Sequence, residues 1–366
     1  MIPLRLAAVS PAPAPFVVRL RSEAPHLAID EIVSPFDALL ENADSTTAGY
    51  STPYGSLEIT APDPAEIEND VLLVDPRRGV AHRLIRAASA HNTFLVTERC
   101  DQLCSMCSQP PKEHHVDMFP IFQIAAQLAP QQMVLGISGG EPTLYKAQLF
   151  EFLKRTFATR PDLQFHILTN GQHFEEEDLP VLSSLPMERI VWGIPLYSSH
   201  AGEHDRIVGK VGAFERLQQS MAVLCRAGAG IELRTVVIKD NAQRLPELAR
   251  FVAITFPFVS TWALMQLENI GLGRMNWSHL FWDHSKNYQP LLSAIDVARA
   301  RGIDTLLYNF PLCTVPEAHR RLAPATISDW KRRYLDVCDT CSMRASCGGF
   351  FEWYPESRGF QELRAL

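Results

Sequence analysis

Thr97-Glu98-Arg99-Cys100-Asp101-Gln102-Leu103-Cys104-Ser105-Met106-Cys107 follows directly on a short apolar run, Phe94-Leu95-Val96. Aromatic and β-branched residues in such a run favour a strand, and the cysteines after it are spaced C-x3-C-x2-C. Three thiolates on one short loop can hold three corners of a [4Fe-4S] cube and leave the fourth iron without a protein ligand. An open iron can bind and reduce a small molecule, so the loop points to chemistry rather than to scaffolding. Zinc is the alternative, but a structural zinc site is closed by four ligands, usually two spaced pairs. Nearby, His114 and His115 offer donors at no established spacing.

Downstream, strand candidates alternate with segments of helical periodicity. The strands fall at 94–97, 133–138, 165–169, 190–196, 231–239 and 261–267. The helices fall at 121–128, 146–157, 176–182, 214–226, 245–254 and 291–300. Repeated β-α order predicts an α/β fold with parallel strands and right-handed crossovers. Six such units over 91–310 make a partial (β/α)6 barrel, short of the eight-unit closed form. Residues 1–90 differ. Prolines, hydroxyl residues and acids break up short apolar runs at 16–18 and 71–74, and 42–54 reads as a polar loop. A small β-rich region is expected there, with an exposed edge strand onto which an extended peptide could add. Over 311–366 cysteines, glycines and aromatics replace the alternation. That predicts a small appended domain whose core is too thin to fold without a staple.

The 366 residues are 46% hydrophobic and 20% charged, the balance of a globular chain with a sizeable core. A net charge of −7 argues against broad nucleic-acid binding. No apolar run approaches the ~20 residues that span a bilayer. Met1 to Leu6 is weakly apolar and soon meets Pro11, Pro13 and Pro15, which does not read as a signal peptide and makes the cytoplasm the expected compartment. In a long chain of that kind, clustered cysteines more often bind metal than form disulfides. Seven of the eight fall in two groups: Cys100, Cys104 and Cys107, then Cys313, Cys338, Cys341 and Cys347. Cys225 stands alone in an apolar helical stretch and reads as a buried, inert thiol.

Other residues gather where the strands end, the usual ligand end of such folds. Gly139-Gly140-Glu141-Pro142 follows the second strand; glycine lets backbone approach a ligand closely, and proline fixes the exit. Asn170 closes the third strand, and Ser198 and Ser199 follow the fourth. Arg234 lies inside the fifth, where an arginine is costly unless paired: with Glu232, or as a bidentate clamp on a ligand carboxylate. Glu268, after the sixth strand, is a weaker candidate, and 200–205, with His200, His204 and Asp205, reads as a polar substrate-side or structural loop. The second cysteine group, Cys313 and then Cys338-x2-Cys341-x5-Cys347, suits either zinc or a cluster.

C-x3-C-x2-C at the end of the first strand, with Gly-Gly-Glu-Pro after the second, resembles the radical S-adenosylmethionine (SAM) superfamily. The resemblance implies a [4Fe-4S] cluster on Cys100, Cys104 and Cys107. SAM chelates the open iron there and is cleaved reductively to a 5′-deoxyadenosyl radical that takes a hydrogen atom from substrate. It further implies SAM contacts from Gly139, Gly140, Glu141 and Pro142, with Asn170, Ser198 and Arg234 on neighbouring strand ends. Met106 stands where the family usually carries an aromatic residue beside the adenine. The tail is similar to the SPASM or twitch auxiliary-cluster domains, which implies one fully ligated auxiliary [4Fe-4S] cluster on Cys313, Cys338, Cys341 and Cys347. Cys107-Ser108-Gln109-Pro110-Pro111-Lys112 narrows the resemblance to the His-Xaa-Ser system radical SAM maturase, C-type member. That implies a ribosomally made peptide with His-Xaa-Ser repeats as substrate, a second radical SAM protein as heterodimer partner, and an external electron donor. Two other readings stay open: a radical SAM enzyme acting on a small-molecule cofactor precursor, and a non-catalytic partner subunit of a second radical SAM protein.

Overall fold

The computed structural model describes residues 4–22 and 34–366, so the first three residues of the N-terminal run lie outside it. Compactness divides the chain into two units. One is Met1–Val96 with Val116–Ile137 and Ala147–Phe165; the other is Thr97–His115 with Ser138–Lys146 and His166–Leu366.

The first unit holds seven short strands. They are β1 (Arg5–Val9), β2 (Phe16–Arg21), β3 (Asp37–Ala43), β4 (Thr47–Thr52), β5 (Gly55–Thr60), β6 (Val71–Asp75) and β7 (Val80–Ile85). Of these, β1, β4 and β5 alternate buried and less buried residues, the period-2 pattern of a sheet with one face on a core. The seven close into a barrel in the order β1-β5-β4-β3-β2-β6-β7. Closure falls on β1, whose Arg5–Ala7 half pairs with β7 and whose Ala7–Val9 half pairs with β5. Leu6, Phe16, Val18, Leu20, Ile59 and Leu72 fill the interior. Two expectations fall here. The polar stretch 42–54 is not a loop but the end of β3 and all of β4, whose alternate residues Ala48 and Tyr50 point into the core. Nor is there an open edge for strand addition: among the described residues of the barrel every strand has partners on both sides, which is how barrels remove edges.

Seven further strands form one sheet in the order β14-β13-β12-β11-β10-β9-β8. They are β8 (Asn92–Thr97), β9 (Val134–Gly139), β10 (Gln164–Leu168), β11 (Ile190–Pro195), β12 (Gly230–Val237), β13 (Thr261–Gln266) and β14 (Asp304–Tyr308). From β11 to β14 the pairing is parallel, with Glu232 opposite Thr261 and Thr261 opposite Asp304. The helices Phe119–Leu128, Lys146–Thr159, Ala213–Arg226, Leu245–Thr255 and Gln289–Arg299 lie between them in the chain, as the periodicity predicts. The fold is therefore mixed α/β with a parallel sheet.

Three local features depart from the sequence reading. A seventh strand, β14, follows the last helix. The expected polar loop 200–205 falls mostly in the helix Ala201–Val208; His204 is buried in it, and Asp205 accepts the N–H of Phe214 at 2.8 Å, in the first turn of the next helix. Cys225 is exposed, because the buried stripe of its helix runs through Leu217, Met221 and Leu224 and leaves Cys225 beside it. The tail has little regular structure: Arg332–Arg333 pairs with Phe350–Phe351, and short 3-10 turns make up much of the rest. Among the described residues no helix is long and apolar enough to cross a membrane.

A buried ion pair lies in the barrel, and removing one partner would strand the other. Arg83 Nε donates to Asp70 Oδ2 at 2.5 Å, and the two side chains are 5% and 1% exposed. Burial pushes the Asp70 carboxyl up to about 6, against the pull of Arg83 and of the Ala87 N–H. Arg83→Leu leaves that acid without its cation and is expected to cost about 3–5 kcal/mol. Urea unfolding measures it, and an unchanged midpoint would show the pair to be dispensable.

Candidate active site

The cysteine loop is held by backbone. Gly140 N–H donates to Thr97 O at 2.8 Å, and Glu141 N–H donates to Arg99 O at 2.7 Å. The chain after β9 thus crosses directly over the start of the loop. Neither glycine tolerates a side chain there: a Cβ on Gly139 would stand 2.0 Å from Thr97 O, and one on Gly140 would stand 2.0 Å from Arg99 O. Gly139 also has φ of 140°, outside the ordinary range of other residues. Elsewhere the loop is braced by Leu103 N to Val208 O (3.0 Å), Ser105 N to Ile207 O (2.9 Å) and Leu272 N to Cys107 O (2.8 Å).

Cys100, Cys104 and Cys107 line one cavity of about 250 Å³. Ser138, Gly139 and Gly140 form its wall beside β9, and Leu168, Thr169 and Asn170 its wall at the end of β10. Gly193, Pro195 and Tyr197 come from β11 and the residues after it, Arg234 and Val236 from β12, and Met265 from β13. Burial pushes the Cys100 thiol up to about 11 and raises Cys104 and Cys107 as well, so without a bound cation these are neutral thiols. Gln102 also lines the cavity; it is 5% exposed, and its Nε2 has no hydrogen-bond partner among the described residues. Three thiols and an unsatisfied donor on one wall fit an iron–sulfur group with a polar ligand beside it.

The candidates from sequence divide. Asn170 and Arg234 are on the wall. The Asn170 amide is engaged, with Nδ2 donating to Asp101 Oδ1 at 2.8 Å and Oδ1 accepting from Gln172 N at 3.1 Å. Arg234 combines both sequence readings: Nη1 is paired with Glu232, and the residue lines the cavity. Glu232 also accepts from Tyr308 Oη at 2.8 Å, and His166 Nε2 stands 3.3 Å from it without a hydrogen bond. Its burial is outweighed by His166 and Arg234, which hold the carboxyl down at about 2.

Glu141, Pro142, Met106 and Ser198 do not line the cavity. Glu141 is fully buried, and its oxygens accept from Thr143 N (2.9 Å), Thr143 Oγ1 (2.5 Å), Thr169 Oγ1 (2.6 Å) and Asn170 N (2.5 Å). Through Thr143, Thr169 and Asn170 the carboxylate ties the turn after β9 to the end of β10. Pro142 is buried at the start of the short turn Pro142–Tyr145. Met106 packs in an apolar core with Tyr197, Ile207, Leu267 and Trp277. Ser198 Oγ accepts from His200 N at 3.0 Å and donates to Glu203 at 2.9 Å, which places it at the entry of helix Ala201–Val208. Glu268 stands 4.0 Å from Lys331 of the tail, and His115 stacks on Tyr145 at 3.8 Å. Sequence reasoning missed Gln102, Ser138, Leu168, Pro195, Tyr197, Val236 and Met265. Most stand at or just past strand ends, and inward alternation from Arg234 to Val236 is the signal that would have found one of them.

In the tail Cys313, Cys338, Cys341 and Cys347 line a second, small cavity. Cys347 Sγ lies 3.4 Å from both Leu312 N and Gly349 N, and Cys341 Sγ lies 3.5 Å from Leu366 N. Such N–H groups stabilise a thiolate. Among the described residues no three His, Cys, Asp or Glu side chains form a ready-made chelate for one metal ion; the shared cavity walls mark both cysteine groups.

Residues 94–252 match the radical SAM superfamily. The chain is 23% identical over 253 residues to a PqqA peptide cyclase of Methylocella silvestris, covering 67% of this chain and 64% of that protein. It is 24% identical over 261 residues to the PqqA peptide cyclase of Gluconobacter oxydans, covering 66% and 65%. The chain thus spans just under two thirds of the length of these relatives. Among solved structures, Streptococcus suis SuiB bound to S-adenosylmethionine is similar at 15% identity with a TM-score of 0.47, over 59% of this chain and 49% of that one.

Two substitutions separate the loop tie from a ligand contact. Gly140→Ala forces the Arg99 carbonyl aside and is expected to lose most of the iron that wild type takes up on anaerobic reconstitution. Glu141→Gln turns one acceptor oxygen into a donor facing donors and is expected to cost about 1–3 kcal/mol in the iron-free, SAM-free protein. Wild-type stability in that variant would return Glu141 to a role at the ligand.

Proposed function

We propose that this chain is a radical SAM enzyme and that it modifies a ribosomally made peptide of the His-Xaa-Ser repeat type. The observation that carries the reading is the single cavity on which Cys100, Cys104 and Cys107, the Gly139-Gly140 backbone and Arg234 converge. A [4Fe-4S] cluster on the three thiolates with SAM beside it supplies reductive cleavage of SAM and the 5′-deoxyadenosyl radical that takes a substrate hydrogen. The chain's own residues prepare that site. The crossing at Gly139 and Gly140 fixes the thiols on one wall and presents backbone instead of side chains. Arg234 offers its remaining N–H groups to a carboxylate, and the pairing with Glu232 holds the guanidinium in place. Leu168, Val236 and Met265 give the cavity apolar lining beside it.

Similarity to the two PqqA peptide cyclases supports a peptide as the substrate. The run Cys107 to Lys112 supports the His-Xaa-Ser type, with a second radical SAM protein as heterodimer partner and an external electron donor. In this reading 1–90 is an N-terminal β region, 91–310 a partial barrel that carries SAM, and 311–366 an auxiliary domain. The four tail thiols on one wall, two of them facing backbone N–H groups, support one fully ligated auxiliary [4Fe-4S] cluster that passes electrons or staples the tail. Two thiol-bound clusters suit a reducing compartment, the cytoplasm.

Anaerobically reconstituted protein with dithionite is expected to release 5′-deoxyadenosine from SAM, and Cys104→Ala to release only background. Equal release from that variant overturns the site. Mass spectrometry of a co-expressed His-Xaa-Ser repeat peptide is expected to show a mass change on the peptide; an unmodified peptide beside active SAM cleavage removes this substrate type. Iron is expected at about eight per chain, and at about four when Cys100, Cys104 and Cys107 are all alanine. Zinc without iron in that triple variant overturns the auxiliary cluster.

A further inference from the structure

Asp101 follows the first cysteine of the loop, and its half-buried carboxylate is shared by three residues from separate stretches of chain. Asn170 Nδ2, just past β10, donates to Oδ1 at 2.8 Å. His173 Nε2 stands 3.1 Å from Oδ2, and Lys210 Nζ is paired with the same oxygen. Lys210 comes two residues after the helix Ala201–Val208, whose last carbonyls bind the N–H groups of Leu103 and Ser105. Gly209 between them packs against the Leu103 carbonyl, which a Cβ there would approach to 2.7 Å. The stretch 207–210 therefore grips the cysteine loop by backbone and then adds one charge on Asp101, the residue after Cys100. Nothing in the fold of the helix requires that charge, since the backbone bonds and the apolar contacts of Ile207 and Val208 already seat it.

We infer that Lys210 is a positioning residue for the cluster loop, one that cancels the Asp101 charge next to Cys100 and so makes an electron easier to add at that site. The inference rests on the cluster reading of Cys100, Cys104 and Cys107. Three thiolates already place negative charge around the iron. An uncompensated carboxylate adjoining one of them disfavours reduction, and a partly buried ammonium on that carboxylate offsets it. Arginine preserves the offset and methionine removes it at similar length.

The test is the midpoint potential of the SAM-free cluster, followed by electron paramagnetic resonance during reductive titration. It uses wild type, Lys210→Met, Lys210→Arg and the double variant Asp101→Asn/Lys210→Met. Because the tail is read as holding a second cluster, the same titration is run with Cys338, Cys341 and Cys347 replaced by alanine, so that one signal is followed. Lys210→Met is expected to retain iron with its potential shifted to lower values, Lys210→Arg to match wild type, and the double variant to return towards wild type. A wild-type potential in Lys210→Met overturns the inference. So does a loss of iron from Lys210→Met that persists in the double variant, since then the residue acts on folding and not through charge. Wild-type protein that binds no iron instead removes the cluster reading on which the inference stands.

Discussion

Two backbone hydrogen bonds, Gly140 to Thr97 and Glu141 to Arg99, are the constraint from which the site is built. They oblige two loops to run in contact, which forbids side chains at 139 and 140 and fixes where the three cysteines emerge. Glu141 extends the tie. Its carboxylate, placed by the crossing, takes up the hydroxyl of Thr169 and the N–H of Asn170, so the end of β10 is drawn to the end of β9. Asn170 then reaches back to Asp101 in the cysteine loop. The path closes on itself through one backbone crossing, two carboxylates and one amide.

Within that circuit the electrostatics oppose one another in a useful way. The thiols sit where burial disfavours their charged form, and the nearby carboxylate of Glu232 sits where His166 and Arg234 favour its charged form. Burial thus favours the neutral thiol at all three cysteines, and under the proposed reading a bound metal would displace their protons. The guanidinium of Arg234, already neutralised by Glu232, can face a cavity walled largely by apolar side chains without a second counter-ion.

What could be read from the sequence follows from what is local. The cysteine spacing, the Gly-Gly pair and the strand ends are set by backbone geometry within a few residues, and they share one cavity with Asn170 and Arg234. What could not be read is the side chains' choice of partner. Glu141, Met106 and Ser198 occupy the expected stretches, yet their side chains are committed to protein: four donors, an apolar core and a helix entry. Chemistry at those positions is the same in either role, and only tertiary placement separates them. The helix Ala201–Val208 escaped notice because its exposed face is charged and it contains Gly202, so its period is carried by His204, Ile207 and Val208 alone. Cys225 shows the converse, an apolar neighbourhood in sequence one position off the buried stripe. The barrel's closure depends on β1 meeting both β5 and β7, a long-range pairing no local pattern records.

The braces of the cysteine loop lie far along the chain from the loop itself. Asn276 Nδ2 reaches the Ser105 carbonyl across 171 residues, and Leu272, Val208 and Lys210 are similarly remote. On a ribosome the three thiols are thus made long before the segments that seat them. A growing chain carries them as an unshaped, oxidisable stretch while more than a hundred further residues are added. Seating of the three thiols is consequently a late event in the folding of the polypeptide, complete only once the chain has been made as far as Asn276.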